Sequence, residues 1–137
     1  MNDRYLAGVE QLQRSGIAGA ESISSRVAEL APDFARMAIE FPYGDLYARD
    51  QLAPKQRELI AVAALAAQGN AAPQLRRHVT AALHLGWSRT ELVEALTQVS
   101  VHAGFPAAMN ALAGCHDLLA EGGCTPCQSA ALGVGQR

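Results

Sequence analysis

The sequence predicts an all-α protein, and three observations carry that prediction. Alanine, the strongest helix former, occurs 27 times, whereas Val, Ile and Thr together number 16. Apolar residues recur at spacings of three and four along most of the chain, which is the period of an amphipathic helix. Prolines and glycines punctuate the pattern as helix starts and stops do, with Pro54 before Gly69 and Pro73 before Gly86. At 137 residues and 50% hydrophobic composition, the chain holds one domain's core and is too short for two.

The elements follow in order. Asp3 to about Ser15 forms a short helix with Leu6, Val9 and Leu12 on one face, interrupted by Gly16 and Gly19. A second stretch starts near Ser22 and runs through Val27, Leu30, Phe34, Met37 and Phe41, with Pro32 marking the first turn of a separate helix. It stops before Pro42, and Tyr43-Gly44-Asp45 reads as a loop. Pro54 opens a helix that ends at Gly69-Asn70 and carries apolar residues on more than one face, so it is expected to be central and buried on most sides. The next helix runs from about Pro73 to Leu85. Ser88 and Glu91 then form a capping box ahead of the seam Leu92, Leu96, Val99, Ala103. Gly104-Phe105-Pro106 breaks the chain, and one last helix reaches about Ala120 before Gly122-Gly123. The expected organisation is an N-terminal helical segment over 1–40, a core over 41–121 and a loose tail over 122–137.

Composition excludes several classes. A net charge of −2 argues against a dedicated nucleic-acid binder. No run of 18 apolar residues would span a membrane, and the N-terminus lacks a signal-peptide pattern, so a cytoplasmic protein is expected. The four histidines lie 6, 18 and 14 residues apart, without His-x3-His or His-Glu-x2-His spacing, so no metal is expected. Phosphate-loop glycines are absent, and Lys55, the only lysine, sits at a helix start where Schiff-base chemistry is not expected.

Against so apolar a background, polar residues inside helices carry the chemistry. His78 is either a surface histidine flanked by arginines or a general acid or base, since imidazole moves protons near neutral pH. Glu58 is either an ordinary first-turn glutamate favoured by the helix dipole or a buried carboxylate paired with a histidine of the next helix. His102 shares a helix face with Gln98 and is either a satisfied core or interface histidine or a catalytic one lining a helix end. Cys124 and Cys127 form a CxxC in the tail: a redox pair, half of a zinc site with Cys115 and His116, or incidental.

Three pieces of the chain resemble the carboxymuconolactone decarboxylase family, within the wider alkylhydroperoxidase AhpD-like superfamily. They are Gly44-Asp45-Leu46-Tyr47-Ala48-Arg49 leading to Arg57-Glu58-Leu59-Ile60-Ala61, then Gln74-Leu75-Arg76-Arg77-His78-Val79 with Gly86 and Thr90-Glu91-Leu92, and finally Gln98 to Ala108 with Asn110-Ala111-Leu112. The resemblance implies an all-helical, AhpD-like fold with a helical hairpin core, assembly into trimers or hexamers, and an active-site cavity near subunit contacts. It places Glu58 and His78 in that site, and His102 where the decarboxylases usually carry tyrosine. The peroxidase branch has Cys-x2-Cys-x3-His on this helix. Here Ala71 and Gln74 replace both cysteines, which excludes thiol chemistry at His78.

The implied activity is decarboxylation of γ-carboxymuconolactone in aromatic-compound degradation, without a cofactor. His78 would be the proton donor, with Glu58 orienting it. An anionic substrate calls for a cationic clamp, for which Arg77, Arg49, Arg57 and Arg76 are the candidates, the first two foremost. A lactone hydrolase or isomerase on the same scaffold is the first rival, and a non-enzymatic or redox-stress accessory protein using the tail CxxC is the second.

Overall fold

A computed structural model of the protein describes residues 3–17 and 25–120. In chain order these form α1 (Asp3–Arg14), α2 (Ser25–Leu30), α3 (Pro32–Ile39), a π-helical turn (Glu40–Leu46), α4 (Pro54–Gln68), α5 (Ala72–His84), α6 (Arg89–Ala103), α7 (Phe105–Gly114) and α8 (His116–Leu119). No strand occurs among the described residues, and no helix among them is long and apolar enough to cross a membrane.

The core begins with the α4–α5 hairpin. Pro54 occupies the first turn of α4 and Gly69 ends it in the left-handed region at φ 75°. Ser88 and Glu91 make the capping box of α6 in full, each side chain bonding the other's backbone N–H, an arrangement worth about 1 kcal/mol. Val62 and Ala66 of α4, Leu75, Val79 and Ala82 of α5, and Leu92, Leu96 and Val99 of α6 then close on Ala111, Cys115 and Leu119. Leu92 and Leu96 are fully buried, each contributing about 1.5–3 kcal/mol by leaving water.

A second apolar cluster joins the N-terminal segment to this core: Leu12, Ile17, Ile39, Tyr43 and, from α5, Ala81. Here α1 lies directly on the π turn because glycine permits it. A β-carbon at Gly8 would sit 2.8 Å from the carbonyl oxygen of Ile39, and one at Gly44 would strike the carbonyl oxygen of Arg4. Arg4 then reaches across to Asp45, Nε to Oδ1 at 3.0 Å and Nη2 to Oδ2 at 2.5 Å.

Four expectations need correction. Tyr43-Gly44-Asp45 is not a loop but the middle of the π turn. Pro42 brings no N–H, so the α-helical ladder cannot run through it; the turn widens, and the Tyr47 N–H reaches the Pro42 carbonyl five residues back at 2.9 Å. The last helix is two, α7 and α8: the Arg76 guanidinium takes the Gly114 carbonyl at 2.6 Å, and the Leu118 N–H, its partner in a continuous helix, turns to the Cys115 carbonyl at 3.0 Å. In this chain α4 is buried along one face only, Glu58, Val62 and Ala66, while Ile60 is 57% exposed. Glu58, finally, lies in the second turn of α4, beyond the orphan N–H groups of the first. The helix-dipole account of that residue therefore does not apply. Gly19, Ser22, Gly122 and Gly123 lie outside the described residues.

Candidate active site

Three elements converge on one carboxylate. The period of α4 that buries Val62 and Ala66 also buries Glu58, one turn earlier, at 0% exposure. The π turn and the residue that caps it bring up Tyr43 and Tyr47, whose ring centroids are 5.0 Å apart. The Tyr47 hydroxyl donates to Glu58 Oε1 at 2.8 Å. From α5, His78 Nδ1 meets Glu58 Oε2 at 2.7 Å. A carboxylate only accepts, so Nδ1 carries a proton and Nε2 is left for another partner. Nε2 has no partner among the described residues, and the His78 side chain keeps 17% of its exposure. Each half of the buried carboxylate is thus satisfied, which a charge in a dry interior requires.

Electrostatics keep the donors protonated. Burial and the Glu58 charge together push the Tyr43 phenol up to about 12, against a smaller opposing effect of Arg77. Tyr47 is held higher still by its burial, by the Glu58 charge and by the hydrogen bond it gives that carboxylate. Across the neutral range both are phenols, so Tyr47 is a permanent donor to Glu58.

The four arginines separate into two kinds. Arg57 is bound to its own loop, Nε to the Leu52 carbonyl at 3.2 Å and Nη2 to the Arg49 carbonyl at 3.1 Å, with its guanidinium 5.8 Å from the Tyr47 ring centroid. Arg76 is engaged by Asp117 through both carboxylate oxygens, at 2.6 and 2.8 Å, besides the Gly114 carbonyl. Arg77 and Arg49 have no side-chain hydrogen bond or ion pair among the described residues. Arg77 borders an apolar groove of about 440 Å³ with Pro73, Thr80 and Leu118. Arg49 borders a second groove of about 330 Å³, lined by polar as well as apolar groups, that Tyr47 also lines.

The Arg76–Asp117 pair makes a pH prediction. The hydrogen bond from Arg76 holds the Asp117 carboxyl down from 3.8 to about 2. A lowered folded-state value means stabilisation that is complete above the ordinary value and lost as pH falls through the folded one. Asp117→Asn is therefore expected to melt below the wild type at pH 7, with the gap closing as pH approaches 2. Thermal melts of both proteins across that window check it, and a gap that does not change with pH refutes the assignment.

His102 is elsewhere. It is exposed in the last turn of α6, and its side chain makes no hydrogen bond with Gln98 or with any other described residue. Cys124 and Cys127 lie outside the described residues, and no three His, Cys, Asp or Glu side chains gather into a metal-binding group among those described. Cys115 is fully buried in the core. Sequence reasoning missed Tyr47 and Tyr43. Their signal was present: two of the chain's three tyrosines fall four residues apart, just ahead of Glu58.

A small helical protein with a buried carboxylate holding one histidine toward the surface is a scaffold for acid–base chemistry. The chain belongs to the carboxymuconolactone decarboxylase family, whose model matches residues 32–115. It is 29% identical over 131 residues to the 4-carboxymuconolactone decarboxylase of Acinetobacter baylyi, covering 92% of this chain and 96% of that relative. It is 32% identical over 120 residues to an uncharacterised 15.0 kDa protein of Paracoccus denitrificans, covering 86% of this chain and 90% of the relative.

Proposed function

We propose that the protein catalyses cofactor-independent decarboxylation of a small carboxylated lactone of the γ-carboxymuconolactone type. The observation that carries this reading is the Glu58–His78 hydrogen bond at 2.7 Å, which commits Nδ1 and leaves Nε2 open. Similarity to a decarboxylase over most of both chains supports the substrate class. In the reaction the bond from ring carbon to carboxylate breaks, carbon dioxide leaves, and the electron pair moves into the conjugated lactone carbonyl. The pair returns as the ring carbon next to that carbonyl takes a proton from Nε2 of the imidazolium, and the neutral imidazole recovers its proton from water. Glu58 steadies the ring while it is charged and orients it throughout. The substrate's remaining carboxylate falls to Arg77 or Arg49, whose guanidinium groups have no side-chain hydrogen bond or ion pair among the described residues.

A second reading, a lactone hydrolase or isomerase using the same pair, is favoured by His102, which stands where the resemblance leads one to expect tyrosine. The assay that separates them measures carbon dioxide released from γ-carboxymuconolactone by the wild type and by His102→Tyr. Turnover by the wild type is expected. Ring opening or isomerisation without carbon dioxide favours the second reading, and no reaction at all removes both.

The same reading includes a homo-oligomer, trimer or hexamer. Phe34 (64%), Phe105 (72%), Val101 (68%) and Met109 (62%) are exposed in the single chain, more large apolar surface than a monomer usually leaves to water. Light scattering at micromolar concentration is expected to give a multiple of 14.4 kDa. The mass of one chain would contradict it.

A further inference from the structure

The Glu58–His78 pair is incomplete as a description of this site, because Glu58 has a second oxygen. It is fully buried, it cannot turn to water, and a single phenol occupies it: the Tyr47 hydroxyl at 2.8 Å. We propose that Tyr47 is a positioning residue of the acid–base site, acting through Glu58 to fix the plane of the carboxylate and to set how tightly it holds the His78 proton. The inference rests on the proposed role of His78, and it adds a third member, along with the device that delivers it.

The geometry makes this more than a buried hydrogen bond. Rotation of a carboxylate about its last bond moves both oxygens together, so anchoring Oε1 also anchors Oε2 and hence the ring at Nδ1. A donor on Oε1 withdraws electron density from the carboxylate and weakens its pull on the Nδ1 proton. Three contacts then locate the phenol itself. Tyr43 packs on one side of the ring, and Arg57 stands over it. The Tyr47 N–H is bonded to Pro42, closing the π turn. Arg57 is in turn clamped to the carbonyls of Arg49 and Leu52. An arginine that sequence suggests as a substrate clamp is therefore placed to hold the tyrosine that holds the glutamate. The widened turn fits the same purpose, since π turns are found frequently at functional sites.

Tyr47→Phe tests this with little disturbance, because it removes one oxygen and keeps the ring against Tyr43 and Arg57. Proton NMR of the intact protein reads the low-field Nδ1–H resonance of His78, which needs no substrate. Assignment comes from its loss in His78→Ala. The expected result is a displaced Nδ1–H resonance in Tyr47→Phe, a fall in kcat of roughly tenfold with KM nearly unchanged, and a pH profile moved to higher pH, the size being that of one hydrogen bond to a charged group. A melting temperature lowered with the resonance, kcat and pH profile all at wild-type values would make the hydroxyl merely structural and overturn the proposal. The NMR arm also separates the two readings. If the wild type does not decarboxylate, an unmoved resonance still defeats the role of Tyr47, and a displaced one upholds it whatever the substrate proves to be.

Discussion

His78→Ala is expected to lower turnover of the lactone by about 10²–10⁴-fold, the usual worth of a positioned proton donor. Stability should fall as well, by about 1–3 kcal/mol, because the fully buried Glu58 then has an oxygen without a partner. Glu58→Ala should lose a similar factor in rate, since an imidazole that nothing orients presents Nε2 to the substrate only part of the time. Residues that act as a unit are not additive, so the double variant should be little worse in turnover than either single one. Steady-state kinetics of the three variants, with urea unfolding alongside, check both arms. Rate losses that multiply in the double variant would show that the two side chains act separately.

Gly44→Ala should have the largest effect among residues far from the chemistry. Its new methyl group would meet the backbone carbonyl of Arg4, and backbone, unlike the end of a side chain, cannot swing aside. Overpacking of this kind costs about 1–3 kcal/mol. The strain is relieved only if α1 lifts from the π turn or the π turn moves toward the core. Tyr43 and Tyr47 stand one residue before and three after, so either movement reaches the Tyr47–Glu58 hydrogen bond. The variant is expected to show both a lower urea midpoint and reduced turnover. The wild-type midpoint in Gly44→Ala would mean that the close approach of α1 is not under constraint.

Much of the helical framework was legible because its signals are local. Pro54 and Gly69 bound α4 through the missing N–H of one and the left-handed φ of the other. Ser88 and Glu91 announce α6 through a hydrogen-bond exchange that needs only three residues of separation. The π turn was not legible, since Pro42 and Gly44 are the residues that ordinarily make a loop. What turns them into a helix is α1 lying against Gly44 and Tyr43 packing with Ala81 of α5. The division of the last helix was hidden for the same reason, since it depends on Arg76, 38 residues earlier than the carbonyl it captures.

The site divides along the same line. Sequence by itself determined the all-α class, the family, and Glu58 and His78 as the polar residues to watch. Residue type and helical period are local properties, and a chain carries them before it folds. Tertiary structure decided that Glu58 is buried, that His78 is its partner 20 residues away, that Tyr47 takes its other oxygen, and that Arg57 and Arg76, unlike Arg77 and Arg49, have side-chain partners among the described residues. Burial and hydrogen-bond partnership arise only where separate helices pack together. A glutamate in an apolar helix is therefore ambiguous until the helices beside it are in place.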